Sequence, residues 1–238
     1  MWYAKPTGGY ANTSTEGLAN ATNIKTFLQA QGWDLKAICA LLGNGVGESG
    51  LNPWRWESDY VPTVSEFEAW TPAQATSHGY GLFGFTPASN YINNTNMAQL
   101  LIYGYGPNFS DNTGRAIDGN AQLFYFNSTA ASNWSSNLFN YYNTEFTAIG
   151  VDISTFYYVS FNDFILGVNG NTQMTLEECV GAFELCYEKP AATAAANSYN
   201  TRVTNAQYWY NYFSNNPVPP YNPSVGTENT WKFWLFGI

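Results

Sequence analysis

Glu48 stands in Gly43-Asn44-Gly45-Val46-Gly47-Glu48-Ser49-Gly50, a glycine-rich run that closes an apolar helical pattern carrying Leu35, Ile38, Leu41 and Leu42. It follows Asn44 by four residues and Leu41 by seven, and so shares their helix face. A carboxyl at a helix C-terminus meets the negative end of the macrodipole. Apolar neighbours such as Val46 and Leu51 would act in the same sense by desolvation. Both effects favour the protonated form. A glutamic acid that keeps its proton near neutrality can serve as a general acid, protonating a sugar oxygen as its glycosidic bond breaks. The surrounding glycines would let a sugar chain approach the backbone. The plainer reading of the same residue is a carboxylate that bonds a neighbouring loop amide.

Glycosidic cleavage with retention needs a second carboxylate about 5–5.5 Å from the acid, and inversion one roughly 6.5–9.5 Å away. Asp118, Glu57, Asp59 and Asp111 are the candidates, although Asp118 also reads as an N-cap for a helix through Gln122. Trp54, Trp56, Tyr80, Phe85 and Tyr125 have the flat faces that stack on sugar rings; their alternative is the core, in a chain with 9 Trp, 18 Tyr and 16 Phe. Glu188 and Arg202 read as a structural ion pair between the last two helices. His78 is the single histidine, with no second His and no Cys beside it, so no zinc site is expected. Neither a phosphate-cradling glycine loop nor a Gly-x-Ser-x-Gly elbow is present, and no metal or cofactor is expected.

The elements that must position these residues follow from periodicity and caps. Residues 1–14, rich in Gly, Asn, Ser and Thr, read as an extended arm. Thr15-Glu16 opens a first helix with Leu18, Ala21, Ile24, Phe27 and Leu28 apolar and Gly32 as its stop. Asp34 is a good N-cap for the helix that runs to Glu48. Breakers at Asn52-Pro53 and Val61-Pro62 turn the chain toward loops and short strands, and Gly79-Tyr80-Gly81-Leu82-Phe83-Gly84-Phe85 alternates as a tight hairpin does. Residues 88–147 read as mostly helical, with loops around 104–114. Thr175-Leu176-Glu177-Glu178 is a capping box opening a helix that ends at Pro190. A last helix covers about residues 198–213, and the tail from Asn215 holds Pro217, Pro219, Pro220 and Pro223. The expected organisation is thus an arm (1–14), one domain (15–213) and a Pro-rich, apolar tail (214–238). The fold class is α+β, mostly α-helical, with one small sheet in the first half.

Composition narrows the partners. A formal charge of −9 with eight Lys and Arg excludes nucleic acid, whose phosphates need a basic face. Charged residues make up 11% of the chain, so its polar surface is built from neutral hydrogen-bonding groups and tyrosines; this suits carbohydrate, and equally a protein held inside an assembly. Three cysteines do not make a complete disulfide framework. Cys179 and Cys186 lie about 10.5 Å apart along a helix, beyond disulfide reach. They and Cys39 read as buried small hydrophobes, with a bridge from Cys39 to one of them left open. No apolar run approaches the ~20 residues of a transmembrane helix, and Trp231 to Ile238 reads as a terminal segment docked on the core or on a partner. Met1-Trp2-Tyr3-Ala4-Lys5-Pro6 lacks the pattern of an export signal. An enzyme working outside the cell without one leaves by lysis or inside a particle.

Residues 23–57, with Gly43-Asn44, three residues, Glu48-Ser49-Gly50 and then Asn52-Pro53, resemble the active-site segment of the phage tail lysozyme family. Further landmarks occur in order: Gly79-Tyr80-Gly81-Leu82, Ile117-Asp118 with Gln122-Leu123, then Phe183, Tyr187-Glu188-Lys189-Pro190 and Arg202. The resemblance covers about residues 17–213. It implies a lysozyme-like fold with a β-hairpin beside the catalytic helix, and a peptidoglycan-degrading activity, muramidase or lytic transglycosylase, with Glu48 as the catalytic acid. It also implies a place on the phage tail among other tail proteins, acting on glycan chains of the bacterial wall. A tail structural or wall-binding protein of the same shape is the alternative. Asp118, lying in a matching segment, becomes the preferred second carboxylate. Ser49 supports the helix end, and Tyr80, Phe85, Gln122, Tyr125 and Trp54 line the substrate groove. Where the family usually has Gln-Trp, this chain has Gly84-Phe85, so a side-chain amide that could bond substrate is missing.

Overall fold

The computed structural model describes residues 2–5, 7–56, 59, 79–85, 112–135 and 139–216, the side chains of 112–118 and 121 excepted. Helix α1 spans Thr15–Ala30 and is capped by Ser14, whose hydroxyl accepts from the Gly17 amide at 3.0 Å. Helix α2, Leu35–Ser49, starts on Asp34, which accepts from the Lys36 amide at 2.8 Å, and ends on Gly50. Helices α3 (Asn112–Asn133), α4 (Phe139–Ala148) and α5 (Phe161–Ile165) follow, with a 3₁₀ turn at Ile153–Thr155. Strands β1 (Val168–Asn169) and β2 (Thr172–Gln173) pair antiparallel, Val168 opposite Gln173. Helix α6 (Leu176–Phe183) continues into a π-helical turn, Glu184–Glu188, and α7 (Ala192–Asn215) closes the described chain. The architecture is the mostly helical α+β class read from the sequence.

Three boundaries differ from expectation. Helix α3 begins at Asn112, inside the stretch read as loop, so Asp118 lies within a helix and is not its N-cap. Helix α7 begins at Ala192, because the alanines from 192 to 196 are strong helix formers that carry no apolar stripe of the kind used to find helices. The β1–β2 ladder sits in the second half of the chain. Its signal was Gly170-Asn171, the two-residue turn between the strands, a dipeptide of hairpin-turn type. In the first half, the described residues hold only the isolated bridges Trp56–Tyr80 and Tyr80–Phe85.

The extended arm is bound to the core by two buried asparagines. Asn20 Nδ2 donates to Tyr3 O and to Leu51 O, each at 2.8 Å. Asn52 Nδ2 donates to Lys5 O at 2.7 Å and Gly8 O at 2.8 Å. Asn52, read as a chain breaker, is therefore also the clamp that joins the arm to the end of α2.

Helix α2 is central, packed against α1, α6 and above all α7. Its approach to α7 depends on Gly43: a Cβ there would lie 2.5 Å from Arg202 O and 2.7 Å from Ala206 Cβ. A glycine inside a helix costs about 1 kcal/mol relative to alanine. Here that cost allows a backbone-to-backbone crossing no larger residue permits. The aromatic core lies alongside, with Phe183 stacked on Tyr187 at 5.0 Å and Phe126 at 4.8 Å from Phe83. Cys39, Cys179 and Cys186 are all buried and free, as small hydrophobes.

The capping box is formed as read: the Glu178 amide donates to Thr175 Oγ1 at 3.1 Å, and the Thr175 amide to Glu178 Oε2 at 2.8 Å. Thr175→Ala is expected to lower stability by about 1 kcal/mol, a drop of roughly 2–4 °C in Tm, with activity unchanged; a thermal melt checks both the sign and the size.

Candidate active site

Because α2 crosses α7 at Gly43, the next turn of α2 is brought against Arg202. Asn44 and Glu48, one turn apart, both reach its guanidinium. Arg202 Nη2 donates to Glu48 Oε1 at 2.6 Å, and Nη1 to Asn44 Oδ1 at 2.8 Å. Asn44 is itself held, donating to Ala40 O at 2.8 Å. From the other side come two glutamates of the π-helical turn: Glu184 Oε1 lies 3.0 Å from Nε, and Glu188 Oε2 accepts from Nη1. The Ser198 hydroxyl accepts from Nε at 3.2 Å and donates to Glu184 Oε1 at 2.7 Å. The π-turn, closed by the bond from the Lys189 amide to Glu184 O, sets both glutamates toward α7; such turns recur at functional sites.

The pairing of Glu188 with Arg202 was legible in the sequence; the bond from Arg202 to Glu48 was not. The surroundings expected for Glu48, apolar contacts from Val46 and Leu51, are replaced by a guanidinium on one oxygen and the hairpin on the other. Glu184 was also missed. Its signal was a lone carboxylate inside the apolar run Gly181-Ala182-Phe183-Glu184-Leu185-Cys186, where a charge must be paired.

The cluster holds three carboxyl groups and one guanidinium, and would carry a charge of −2 if every acid were ionised. Burial pushes Glu184 up from its ordinary value of 4.5 to about 7, against the pull of Arg202 and Ser198. Burial, reinforced by the nearby charge of Glu48, pushes Glu188 well above the carboxylate range. The buried pair thus takes up the excess by holding protons. For Arg202, burial acts against the charge, but Glu188, Glu184 and Glu48 outweigh it and keep the guanidinium protonated.

A pH dependence of stability follows. Below pH 4.5 Glu184 is protonated in both folded and unfolded chains; between 4.5 and about 7 the unfolded chain loses that proton while the folded one keeps it. Stability therefore falls as pH rises through this window, by about 3 kcal/mol from this group. Melts from pH 4.5 to 8 are expected to show this fall, and Glu184→Gln to flatten it; an unchanged slope in that variant would assign the fall to other groups.

Ser49 does support the helix end: its hydroxyl donates to Leu82 O at 2.7 Å and lies 3.2 Å from Gly45 O. The hairpin is closed by Tyr80 and Phe85, the Phe85 amide donating to Tyr80 O at 2.9 Å. Gln122 clamps it from α3, accepting from the Leu82 amide at 2.7 Å and donating to Pro53 O at 2.6 Å. The result is a rigid turn whose Gly84 sits against Glu48. A Cβ on Gly84 would lie 2.9 Å from Glu48 Oε2, and its φ of 55° already disfavours a side chain.

Exposure corrects the expected groove lining. Gln122 is fully buried with its amide engaged as above, and Trp54, Tyr80 and Phe85 are buried too. The reason is packing: Tyr80 lies against Trp56 at 4.5 Å, and Phe85 meets Tyr125 edge-on at 5.4 Å. Of the five residues expected to meet substrate, Tyr125 alone keeps part of its surface exposed. Beside Glu48, among the described residues, the backbone is exposed at Gly47 and partly exposed at Gly84. Asp59 is committed elsewhere, to Arg55 at 3.0 Å and the Gly8 amide at 2.6 Å. Glu57, His78, Asp111 and the tail from residue 217 lie outside the described residues, as does the side chain of Asp118. Among the described residues no group of His, Cys, Asp and Glu is arranged to hold a metal, and no helix is long and apolar enough to cross a membrane.

A sequence profile of the phage tail lysozyme family matches residues 19–213. Morphogenesis protein 1 of Bacillus phage B103 is 36% identical over 93 residues, a stretch that is 39% of this chain and 21% of that protein. The chain therefore matches about a fifth of the length of this relative.

Proposed function

Since this chain belongs to the phage tail lysozyme family, we propose that it degrades bacterial cell wall, cleaving the glycan backbone of peptidoglycan with Glu48 as general acid. The observation that carries this reading is the unequal exposure of the three clustered carboxyls. Glu184 and Glu188 have side-chain exposures of 0% and 7%, whereas Glu48 keeps 30%. Glu48 is the member of the cluster that a glycosidic oxygen can reach. Tyr125 supplies the partly exposed aromatic face for a sugar ring. Asp118 is the second carboxylate for a hydrolytic route, with Trp54, Tyr80, Phe85 and Gln122 shaping the wall behind. The protein acts from the phage tail, opening a local hole in the wall.

One observation favours a second reading. An ion pair to Arg202 is also what a carboxylate kept for structure would show, so a tail structural or wall-binding protein of lysozyme shape is the alternative. The purified chain, incubated with peptidoglycan, distinguishes them by product mass spectrometry. New reducing ends indicate hydrolysis, and anhydromuramyl ends indicate transglycosylation. Binding with no released sugar would replace the enzymatic reading with the structural one.

A further inference from the structure

The two oxygens of Glu48 are not equivalent. Oε1 accepts a hydrogen bond from Arg202 Nη2 at 2.6 Å. Oε2 faces Gly84, where a Cβ would lie 2.9 Å away. Arg202 cannot follow Glu48 if the acid turns, because Asn44, Ser198, Glu184 and Glu188 hold its other edges, and the side chain is 8% exposed. A guanidinium never gives up its protons in a protein and only donates. The carboxyl oxygen that accepts from it cannot also carry an acidic proton along that line, so the protonated acid bears its hydrogen on Oε2.

We infer that Arg202 is the positioning residue of the reaction: it reserves Oε1 and leaves Oε2 as the oxygen that carries the proton to the scissile sugar oxygen. This inference rests on Glu48 being the acid. In the step itself, the Oε2–H bond breaks and an O–H bond forms on the glycosidic oxygen. The C–O electron pair leaves with that oxygen, and the anomeric carbon is bonded by water, which gives a proton to the second carboxylate, or by the sugar's own 6-hydroxyl, which gives its proton back to Glu48. The negative charge left on Glu48 appears beside a guanidinium already in place, and preorganised charge of this kind lowers the barrier. Glu184 and Glu188 share the same cation from beneath, so Arg202 is fixed by groups that do not meet substrate. Gly84 then keeps Oε2 in place, since any side chain there would push that oxygen aside.

The test is steady-state turnover of soluble peptidoglycan fragments by the full chain across pH 4–9, with folding followed by circular dichroism. Arg202→Lys keeps the charge and removes the fork. It is expected to lower kcat at least about tenfold with little change in KM, and to displace the pH profile. Gly84→Ala, whose Cβ must push Glu48 Oε2 aside, is expected to lower kcat/KM by about a hundredfold in a folded protein. Wild-type kcat and pH profile in both variants would overturn the inference; should Arg202→Lys not fold, Gly84→Ala decides by the same criterion. Glu48→Gln is the reference: turnover retained there removes the acid reading itself, whereas an inactive Glu48→Gln beside two fully active variants removes only the positioning role.

Discussion

Glu48→Gln is expected to fold normally while its turnover of peptidoglycan falls by about 10³-fold. The amide is nearly the same size, and its oxygen can still accept from Arg202 Nη2, so the α2–α7 contact persists. It removes one of three acids that compete for a single guanidinium, and stability should stay level or rise. What the amide cannot do is transfer a proton to a departing sugar oxygen, and that is the whole of the expected loss. Release of dye-labelled wall fragments measures the activity, and a thermal melt measures the fold. A folded variant with the rate of the native chain would end the acid assignment. A variant that unfolds would mark the Glu48–Arg202 pair as structural instead.

Arg202→Ala should have the largest effect on stability, a loss of about 3–5 kcal/mol, or roughly 6–20 °C in Tm. The side chain is buried, and its removal leaves Glu184, Glu188 and the Asn44 carbonyl facing one another without a cation. Buried partners without their counter-charge are costly because neither water nor another donor replaces it. The size of the loss should depend on pH. Near pH 5 both buried glutamates hold protons, so the absent cation matters less than at pH 8, where Glu184 at about 7 would ionise. A loss equal at both pH values would place it in lost packing around the arginine stem; a native melting temperature at pH 8 would show that the cluster contributes nothing.

What the sequence determined by itself is what short-range chemistry determines. Asp34 and Thr175 mark helix starts because a side chain there reaches amides two or three residues on, wherever the helix later packs. The seven-residue spacing of Cys179 and Cys186 excluded a disulfide between them by helix geometry alone. The glycines around Glu48 at a helix end, and the alternation from Gly79 to Phe85, were visible for the same reason. The ordered motifs then identified the family.

The tertiary structure alone decided which groups meet. Arg202 lies 154 residues from Glu48 in the chain, and nothing local to either residue specifies the other. Their contact exists because α2 and α7 cross where Gly43 admits the backbone of Arg202 and the methyl of Ala206. Shape complementarity between distant segments sets that crossing, and no periodicity records it. The burial of Tyr80, Phe85, Trp54 and Gln122 has the same origin: an aromatic ring suits a sugar and a protein core equally well, and the neighbours that cover it choose between them.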